Sequence, residues 1–206
     1  MKDRPVVAVV NYGVGNLRSV SKALWKVGGS ALVTDKPGDL PKANALILPG
    51  VGAFDSAMSL LASSLSVVRE LAEHGIPILG VCLGMQVLFS ASEEGRSTGL
   101  NLISGKVVRF MGDLKVPHMG WNTINIKRPN PLLEGVQSGS YGYFVHSYYP
   151  QPEAEEVVIA TTEYGVEFPS AVAQDLVYGL QFHPEKSGRL GLRILKNFVR
   201  LVRKVA

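Results

Sequence analysis

The only cysteine of the chain, Cys82, stands between two glycines in residues 80–84, GVCLG. An apolar run over residues 76–81 precedes it and a helix-compatible segment over residues 85–91 follows. This order predicts a tight strand-to-helix turn that presents the thiol, with the glycines allowing the sharp bend and the approach of a substrate. A helix N-terminus beneath the sulfur favours the nucleophilic thiolate. A lone buried cysteine is usually inert, but the paired glycines favour a nucleophile here.

A candidate base and a carboxylate follow about a hundred residues later. His183 comes just after the apolar segment 177–182, and Glu185 stands two positions further on. Open α/β sheets place their sites at the carboxyl ends of strands. His183 can accept the thiol proton, and Glu185 can hold the imidazole in the accepting tautomer. A single histidine at a strand end is more often structural, but its pairing with Cys82 predicts a Cys82–His183–Glu185 triad.

A glycine-rich turn at residues 49–52, PGVG, supplies what an attack on an amide requires. A thiolate adding to an amide forms a tetrahedral oxyanion, which needs two well-aimed donors. The N–H of Leu83, directly after the nucleophile, is one candidate, and the N–H of Val51 in the turn is the other. Without Cys82, an ordinary strand-to-helix turn would be the simpler interpretation of this segment.

Strands that alternate with helices must position these groups. Apolar runs and helical patterns alternate over the first part of the chain, which predicts βαβ units and a mainly parallel sheet. The strands fall at 5–10, 31–34, 45–48 and 76–81, with helices at 17–27 and 55–74. After about residue 99 short strands dominate, at 106–110, 122–126, 143–148, 157–160, 171–173 and 176–182. The predicted fold is therefore α/β, an open mainly parallel sheet flanked by helices with an antiparallel β elaboration, in one domain spanning 1–206.

Composition narrows the class of protein further. With 46% apolar and 18% charged residues the chain is globular, and one cysteine excludes a disulfide framework and suits a reducing compartment. The N-terminus is a poor signal peptide and no run is long enough to span a bilayer, so we expect a cytoplasmic protein without membrane contact. The net charge of +4 gathers in a closing helix with an apolar stripe, which favours packing on the sheet over nucleic-acid binding.

No cofactor or metal is expected. The glycines at 13 and 15 match a dinucleotide fingerprint only in part, because position 18 is arginine. His74, His118 and His146 lack metal-ligand spacing to one another or to Cys82.

Three separated motifs, at residues 80–86, 49–52 and 183–185, together resemble the class I, or triad, glutamine amidotransferase family. The resemblance covers essentially the whole chain. It implies that Cys82 attacks the carboxamide of glutamine, that His183 passes the thiol proton to the departing ammonia, and that water hydrolyses the thioester to glutamate. It also implies a set of residues lining the glutamine pocket, which are Gly52, Gln86, Glu94, Ser147 and Tyr148. A carboxylate at Glu94 would complement the α-ammonium of the substrate.

Four further segments, at 12–17, 117–122, 143–148 and 183–187, are similar to one branch of this family. Members of that branch form a heterodimer with the cyclase subunit of imidazole glycerol phosphate synthase, a (β/α)₈ barrel that receives the ammonia in histidine biosynthesis. Met85 suits this branch, and Asn11 departs from its usual aspartate. The resemblance implies interface roles for Asn16, Trp121 and Lys186, although Trp121 could equally be a core residue.

Other functions stay open at this point. A glutaminase serving another synthase, for anthranilate or pyridoxal phosphate, is the near alternative. A stand-alone cysteine hydrolase of similar fold belongs to a different class, and so does a catalytically silent binding module, which the intact triad disfavours.

Overall fold

A computed structural model describes residues 4–13 and 15–205. Residues 1–3, 14 and 206 lie outside this range. These residues include the start of the N-terminal segment that makes a poor signal peptide, and one position of the motif at 12–17.

Helices and strands follow the alternation that the sequence predicts. Within the described residues the strands are β1 (Val6–Val10), β2 (Ser30–Thr34), β3 (Ala45–Leu48), β4 (Ile78–Val81), β5 (Ala91–Ser92), β6 (Gly105–Arg109), β7 (His118–Ile126), β8 (Ser140–His146), β9 (Tyr148–Pro152), β10 (Val158–Glu163), β11 (Glu167–Gln174) and β12 (Val177–Leu180). The α-helices are α1 (Leu17–Lys26), α2 (Phe54–Leu61), α3 (Leu65–Glu73), α4 (Leu83–Gln86) and α5 (Gly188–Val205). Short 3₁₀ turns cover Pro37–Lys42, Ala62–Ser64, Pro131–Leu133, Glu155–Val157 and Pro184–Lys186.

One nine-stranded sheet forms the centre of the fold, in the order β2-β1-β3-β4-β12-β11-β10-β7-β8. The pairs from β2 to β12 are parallel, and those from β12 to β8 are antiparallel. The α/β prediction is therefore confirmed, and the antiparallel strands continue the same sheet. Strands β4 and β12 lie side by side at its middle. The Cys82 and His183 segments, which leave these two strands, consequently emerge next to each other.

Both faces of the sheet are covered, because successive side chains of a strand point to opposite sides. Val7 and Val9 of β1 join a core with α1 and α5, whereas Ala8 and Val10 join a second core with α2 and α3. The basic closing helix packs as predicted. It buries Leu195, Phe198, Val199 and Val202 against the sheet, with Leu192 half-buried.

A second sheet of three strands, β5-β6-β9, lies beside the first. The sequence predicts one strand over residues 143–148, but the structure divides this segment at Ser147. Strand β8 ends in the large sheet, and β9 begins in the small one. Ser147 and Tyr148 lie at this change of sheet and line a cleft.

The helix predicted over residues 85–91 is wrong in its extent. The helix after the cysteine, α4, ends at Gln86. The carbonyls of Val87, Leu88 and Phe89 accept hydrogen bonds from backbone N–H groups of the loop 100–103. These tertiary hydrogen bonds replace the helical ones. They turn the chain toward β5.

The helix predicted over residues 55–74 is interrupted. A 3₁₀ turn at Ala62–Ser64 separates α2 from α3. Serine competes for backbone hydrogen bonds and weakens a helix at such a position.

Candidate active site

The turn that carries Cys82 has the strained geometry expected of a nucleophile elbow. Cys82 has φ 54° and ψ −110°, a backbone conformation that side chains rarely adopt. A Cβ added to Gly84 would lie 1.7 Å from the carbonyl oxygen of Leu48, and one added to Gly80 would lie 2.4 Å from that of Gly84. Both positions therefore require glycine, because the neighbouring backbone leaves no room for a side chain.

His183 and Glu185 form a buried ion pair. The His183 Nδ1 atom lies 3.0 Å from Glu185 Oε1, and both side chains are only 3% exposed. The backbone of His183 is fixed as well, since its N–H donates to Tyr143 O at 2.9 Å and its carbonyl accepts from Ser187 Oγ at 2.6 Å. The imidazole consequently has one orientation, set by the carboxylate behind it.

The charge state of His183 follows from its neighbours. Burial alone lowers the pKa of His183, but hydrogen bonding and negative charge at Cys82 and Glu185 outweigh it and raise the pKa to about 9. The Nε2 atom finds no well-aligned hydrogen-bond partner among the described residues. Catalytic hydrogen bonds often form or tighten only when substrate is bound. An imidazolium at neutral pH is placed to protonate a leaving amine.

Gln181 is a neighbour of the sulfur that sequence reasoning missed. Its side chain is fully buried, its Nε2 donates to Cys82 Sγ at 3.7 Å, and its Oε1 accepts from Gln86 Nε2 at 3.3 Å. The signal was available, because residues two apart on an extended segment point to the same side, so Gln181 shares the side of His183. The thiol itself donates to the carbonyl of Val145 at 3.6 Å.

A cleft of about 220 Å³ opens above the sulfur. It is lined by both predicted oxyanion residues, Val51 and Leu83, together with Cys82. All five residues predicted to bind glutamine line the same cleft, namely Gly52, Gln86, Glu94, Ser147 and Tyr148. Sequence reasoning missed three further lining residues, Pro117, Val145 and His146. The fold thus collects residues from five separate segments around one nucleophile.

Two of the pocket residues also have structural partners. Glu94 Oε2 accepts a hydrogen bond from the N–H of Phe54 at 2.8 Å, at the first turn of α2. Burial raises the pKa of Glu94 despite this bond, and the charge of Asp55 adds to the rise. Gln86 donates its amide N–H to the carbonyl of Tyr148 at 2.9 Å. These contacts hold the wall of the cleft in place.

Tyr12 anchors the turn at residues 49–52. Its buried hydroxyl donates to the carbonyl of Pro49. A Cβ on Gly50 would lie 2.6 Å from the Tyr12 hydroxyl oxygen, so glycine allows this approach. The phenol has a raised pKa because it is buried and close to Cys82. Gly52, at φ +117°, also requires glycine, and Val51 between them is 42% exposed.

The three residues predicted at a partner interface are all exposed. Trp121 is 57% exposed and is therefore not a core residue; its ring contacts Tyr143 edge-to-face at 5.8 Å. The Lys186 ammonium lies over the ring of the same Tyr143, 5.6 Å from the ring centre. Asn16 caps α1 by accepting from Ser19 N at 3.2 Å. We call Trp121, Tyr143 and Lys186 the aromatic face.

Within residues 4–13 and 15–205, no group of three histidine, cysteine or acidic side chains is arranged to hold a metal ion. None of the helices in that part of the chain combines the length and the apolar character needed to cross a membrane.

Comparison with known proteins agrees with this geometry. Residues 8–202 match the model of the family described as glutamine amidotransferase class-I. The chain is 52% identical over 203 residues to "Imidazole glycerol phosphate synthase subunit HisH" of Moorella thermoacetica, covering 97% of this chain and 96% of that protein. It is 53% identical over 203 residues to the protein of the same name from Syntrophotalea carbinolica, covering 94% and 98%. A solved structure described as a glutamine amidotransferase superposes with a TM-score of 0.77 at 24% identity, covering 96% and 98%, which supports the fold.

The chain belongs to the class I glutamine amidotransferase family. The resemblance stated from its three motifs is confirmed.

Proposed function

We propose that this chain is the glutaminase subunit of an imidazole glycerol phosphate synthase, acting in histidine biosynthesis. The observation that carries the proposal is a strained Cys82 elbow at the end of β4, beside the strand β12 that leads to the buried His183–Glu185 pair. The residues expected to bind glutamine line the cleft above the sulfur. The identity of about half of all residues to proteins named as HisH subunits, over nearly the full length, supports the choice of branch.

The proposed reaction uses only side chains and backbone groups of this chain. Cys82 reacts as the thiolate, with its proton held on His183 as the imidazolium. The sulfur attacks the side-chain carbonyl carbon of glutamine, and the N–H groups of Leu83 and Val51 stabilise the oxyanion. The tetrahedral intermediate collapses as its C–N bond breaks, and the His183 imidazolium protonates the departing nitrogen, which leaves as ammonia. The neutral imidazole then takes a proton from water, the resulting hydroxide attacks the thioester, and glutamate leaves while the thiol regains a proton.

The cleft provides a counter-charge for the other end of the substrate. The second oxygen of the Glu94 carboxylate is free to accept from the α-ammonium, since Oε2 is the atom bound to Phe54. Gln86, Ser147 and Tyr148 form the remaining wall with Gly52. No cofactor or metal has a role in this chemistry.

The proposed partner is a cyclase subunit with a (β/α)₈ barrel, bound as a heterodimer that channels ammonia and acts as a lyase in the cytoplasm. We assign the aromatic face and Asn16 to this interface. Exposed tryptophan is the side chain that most often dominates binding energy at interfaces. The face adjoins the catalytic pair, because Lys186 follows Glu185 directly and Tyr143 binds the His183 backbone. The whole chain, 1–206, would act as one amidotransferase domain.

The test is glutamate release from glutamine by the purified chain, alone and with the cyclase subunit plus its nucleotide ligand. We expect little activity alone, a large increase in the complex, and complete loss in Cys82→Ala. Equal activity with and without the cyclase would overturn the partner assignment and leave the Cys82 chemistry intact.

A matched pair of tryptophan variants tests the interface separately. Trp121→Ala should weaken binding to the cyclase by roughly 30-fold or more, as expected for a hot spot of about 2 kcal/mol or above. Trp25→Ala removes an equally exposed tryptophan, 64% exposed on α1, and should leave the affinity unchanged. Equal effects of the two substitutions in a titration of the complex would place the interface elsewhere.

A further inference from the structure

Two buried histidines outside the triad form a continuous hydrogen-bonded chain that ends at the glutamine cleft. His118 of β7 and His146 of β8 face each other across the paired strands, with His118 Nδ1 3.0 Å from His146 Nε2. His146 Nδ1 lies 2.9 Å from the carbonyl oxygen of Tyr148, and Asn122 Nδ2 lies 3.2 Å from His118 Nε2. Both imidazoles are at most 5% exposed. We call His118 and His146 the histidine pair.

The direction of every hydrogen bond in this chain follows from its ends. Burial lowers the pKa of His118 to about 4. Burial also lowers the pKa of His146 to about 3; the neighbouring His118 and His183 lower it further, whereas the hydrogen bond to Tyr148 raises it. Each imidazole is therefore neutral at pH 7 and carries one N–H. A carbonyl can only accept, so that of Tyr148 requires the proton of His146 on Nδ1. His146 Nε2 must then accept from His118 Nδ1–H.

The other end of the chain is consistent with this assignment. With its proton on Nδ1, His118 can only accept at Nε2, and the amide N–H of Asn122 donates there. The same amide donates to the carbonyl of Glu163 at 2.9 Å, while Asn122 Oδ1 accepts from the N–H of Thr123 at 2.8 Å. The oxygen and nitrogen of Asn122 are thereby distinguished. Both imidazoles are held in the Nδ1–H tautomer by backbone groups that cannot change their roles.

Packing fixes the ring planes in addition to the protons. The His118 ring stacks on Tyr164 at 4.1 Å and on Phe144 at 5.0 Å between ring centres. Phe168 and Phe110 contact His146 at 5.1 and 5.3 Å. A side chain locked by such packing holds its hydrogen-bond partner in one position.

We propose that the histidine pair is a positioning device for the glutamine pocket, which fixes the Tyr148 carbonyl and with it the wall formed by Ser147 and Tyr148. The inference rests on the proposed glutaminase function. The Tyr148 carbonyl receives two donors, His146 Nδ1–H and the amide of Gln86, and both donors themselves line the cleft. Strand β9 pairs with β6 from Tyr148 onward, and the Ser147 carbonyl accepts from the N–H of Phe110 at 3.1 Å. The two donors add a side-chain restraint on the Tyr148 carbonyl at the point where the chain changes from one sheet to the other.

A pair of substitutions of equal shape isolates the hydrogen bond to Tyr148. Asparagine and leucine have the same branching, but only asparagine offers an N–H near the position of His146 Nδ1. His146→Leu should raise KM for glutamine by about 2- to 10-fold, the effect of one net hydrogen bond, with a smaller change in kcat. His146→Asn should return KM toward that of the parent chain. Both variants lose ring packing equally, so equal KM values in the complex with the cyclase would overturn the proposal.

The tautomers can be measured without any activity. In the ¹⁵N NMR spectrum of labelled protein at neutral pH, a protonated ring nitrogen is readily distinguished from an unprotonated one. With assignments from His118→Phe and His146→Leu, we expect both imidazoles of the pair to be protonated at Nδ1 only. An Nε2–H tautomer at either position would overturn the proposal. A complex of the parent chain with the cyclase and its nucleotide ligand that releases no glutamate would instead refute the proposed function, so the two failures are distinguishable.

Discussion

Replacing Glu185 by glutamine removes the charge behind His183 while keeping an oxygen that can accept from Nδ1–H. The two groups are 3.0 Å apart and almost fully buried. Across that distance two unit charges attract by about 1.4 kcal/mol at the permittivity of water and by about 5.5 kcal/mol at an effective value of 20. A neighbouring opposite charge typically shifts a pKa by about 1–3 units. At about 1.4 kcal/mol per unit, the corresponding free energy lies within this range. Because Glu185 helps to raise the pKa of His183 to about 9, its loss lowers that pKa.

The consequence for catalysis is a displaced pH profile. In the proposed reaction the imidazolium protonates the leaving nitrogen, so activity should fall as His183 loses its proton, near pH 9 in the parent chain. In Glu185→Gln this alkaline limb should move to lower pH by roughly 1–3 units. The pH-independent kcat/KM should also fall by about 10²- to 10⁴-fold, because the glutamine amide can donate as well as accept and so no longer fixes one tautomer of the imidazole.

The assay is the initial rate of glutamate release across a pH series, in the complex with the cyclase. Glu156→Gln, an exposed carboxylate on a 3₁₀ turn far along the chain, is the control and should leave both limbs in place. An alkaline limb that stays near pH 9 in Glu185→Gln would refute the assignment of that limb to His183 and of its raised pKa to the carboxylate.

Three further predictions concern the surroundings of the triad. Tyr12→Phe removes a buried hydrogen bond to the turn at residues 49–52 and should lower kcat by about 2- to 10-fold at constant KM. Tyr164→Phe loses a hydrogen bond to a carbonyl of an exposed loop and should leave kcat unchanged. Equal kcat values in the two variants would contradict this. Gly84→Ala should lower the free energy of unfolding by about 3 kcal/mol or more because its Cβ has no room, against little change for Gly38→Ala, whose Cβ meets nothing within 4 Å. The depressed pKa values of the histidine pair mean that the unfolded chain binds more protons, so stability present above about pH 6.5 is lost as the pH falls toward 4 and 3. The decrease in Tm between about pH 7 and pH 5 should therefore be shallower in His146→Leu, and an equally steep decrease would argue against this account.

Local chemistry explains why the elbow and the His183–Glu185 pair could be predicted. Backbone contacts within a few residues of Cys82 and with the neighbouring strand β3 require glycine at positions 80 and 84. This requirement is visible in the sequence as two glycines at a fixed spacing from the cysteine. The parallel strands can likewise be recognised in the sequence as short apolar runs, because they are buried on both faces. Strand β3 falls where the sequence places it, and β4 and β12 fall within the predicted segments.

The errors in the secondary structure have a common cause. The helix after Cys82 ends early, and the strand over residues 143–148 divides, because distant segments compete for the backbone hydrogen bonds. The carbonyl of Leu88, for example, accepts from Leu102 and Ile103 rather than from the next turn of a helix. Nothing local in residues 85–91 records that competition.

What the sequence by itself determined is the set of candidate groups: a cysteine on a glycine-flanked turn, a histidine with a carboxylate two positions on, a glycine-rich turn, and the α/β alternation that carries them. Only the tertiary structure decided which other groups share the site. Gln181 beside the sulfur, Tyr12 on Pro49 and the pairing of His118 with His146 join residues 99, 37 and 28 positions apart. Such contacts depend on which strands become neighbours and where a strand changes sheet. They are set by long-range packing, which leaves no periodic pattern in the chain.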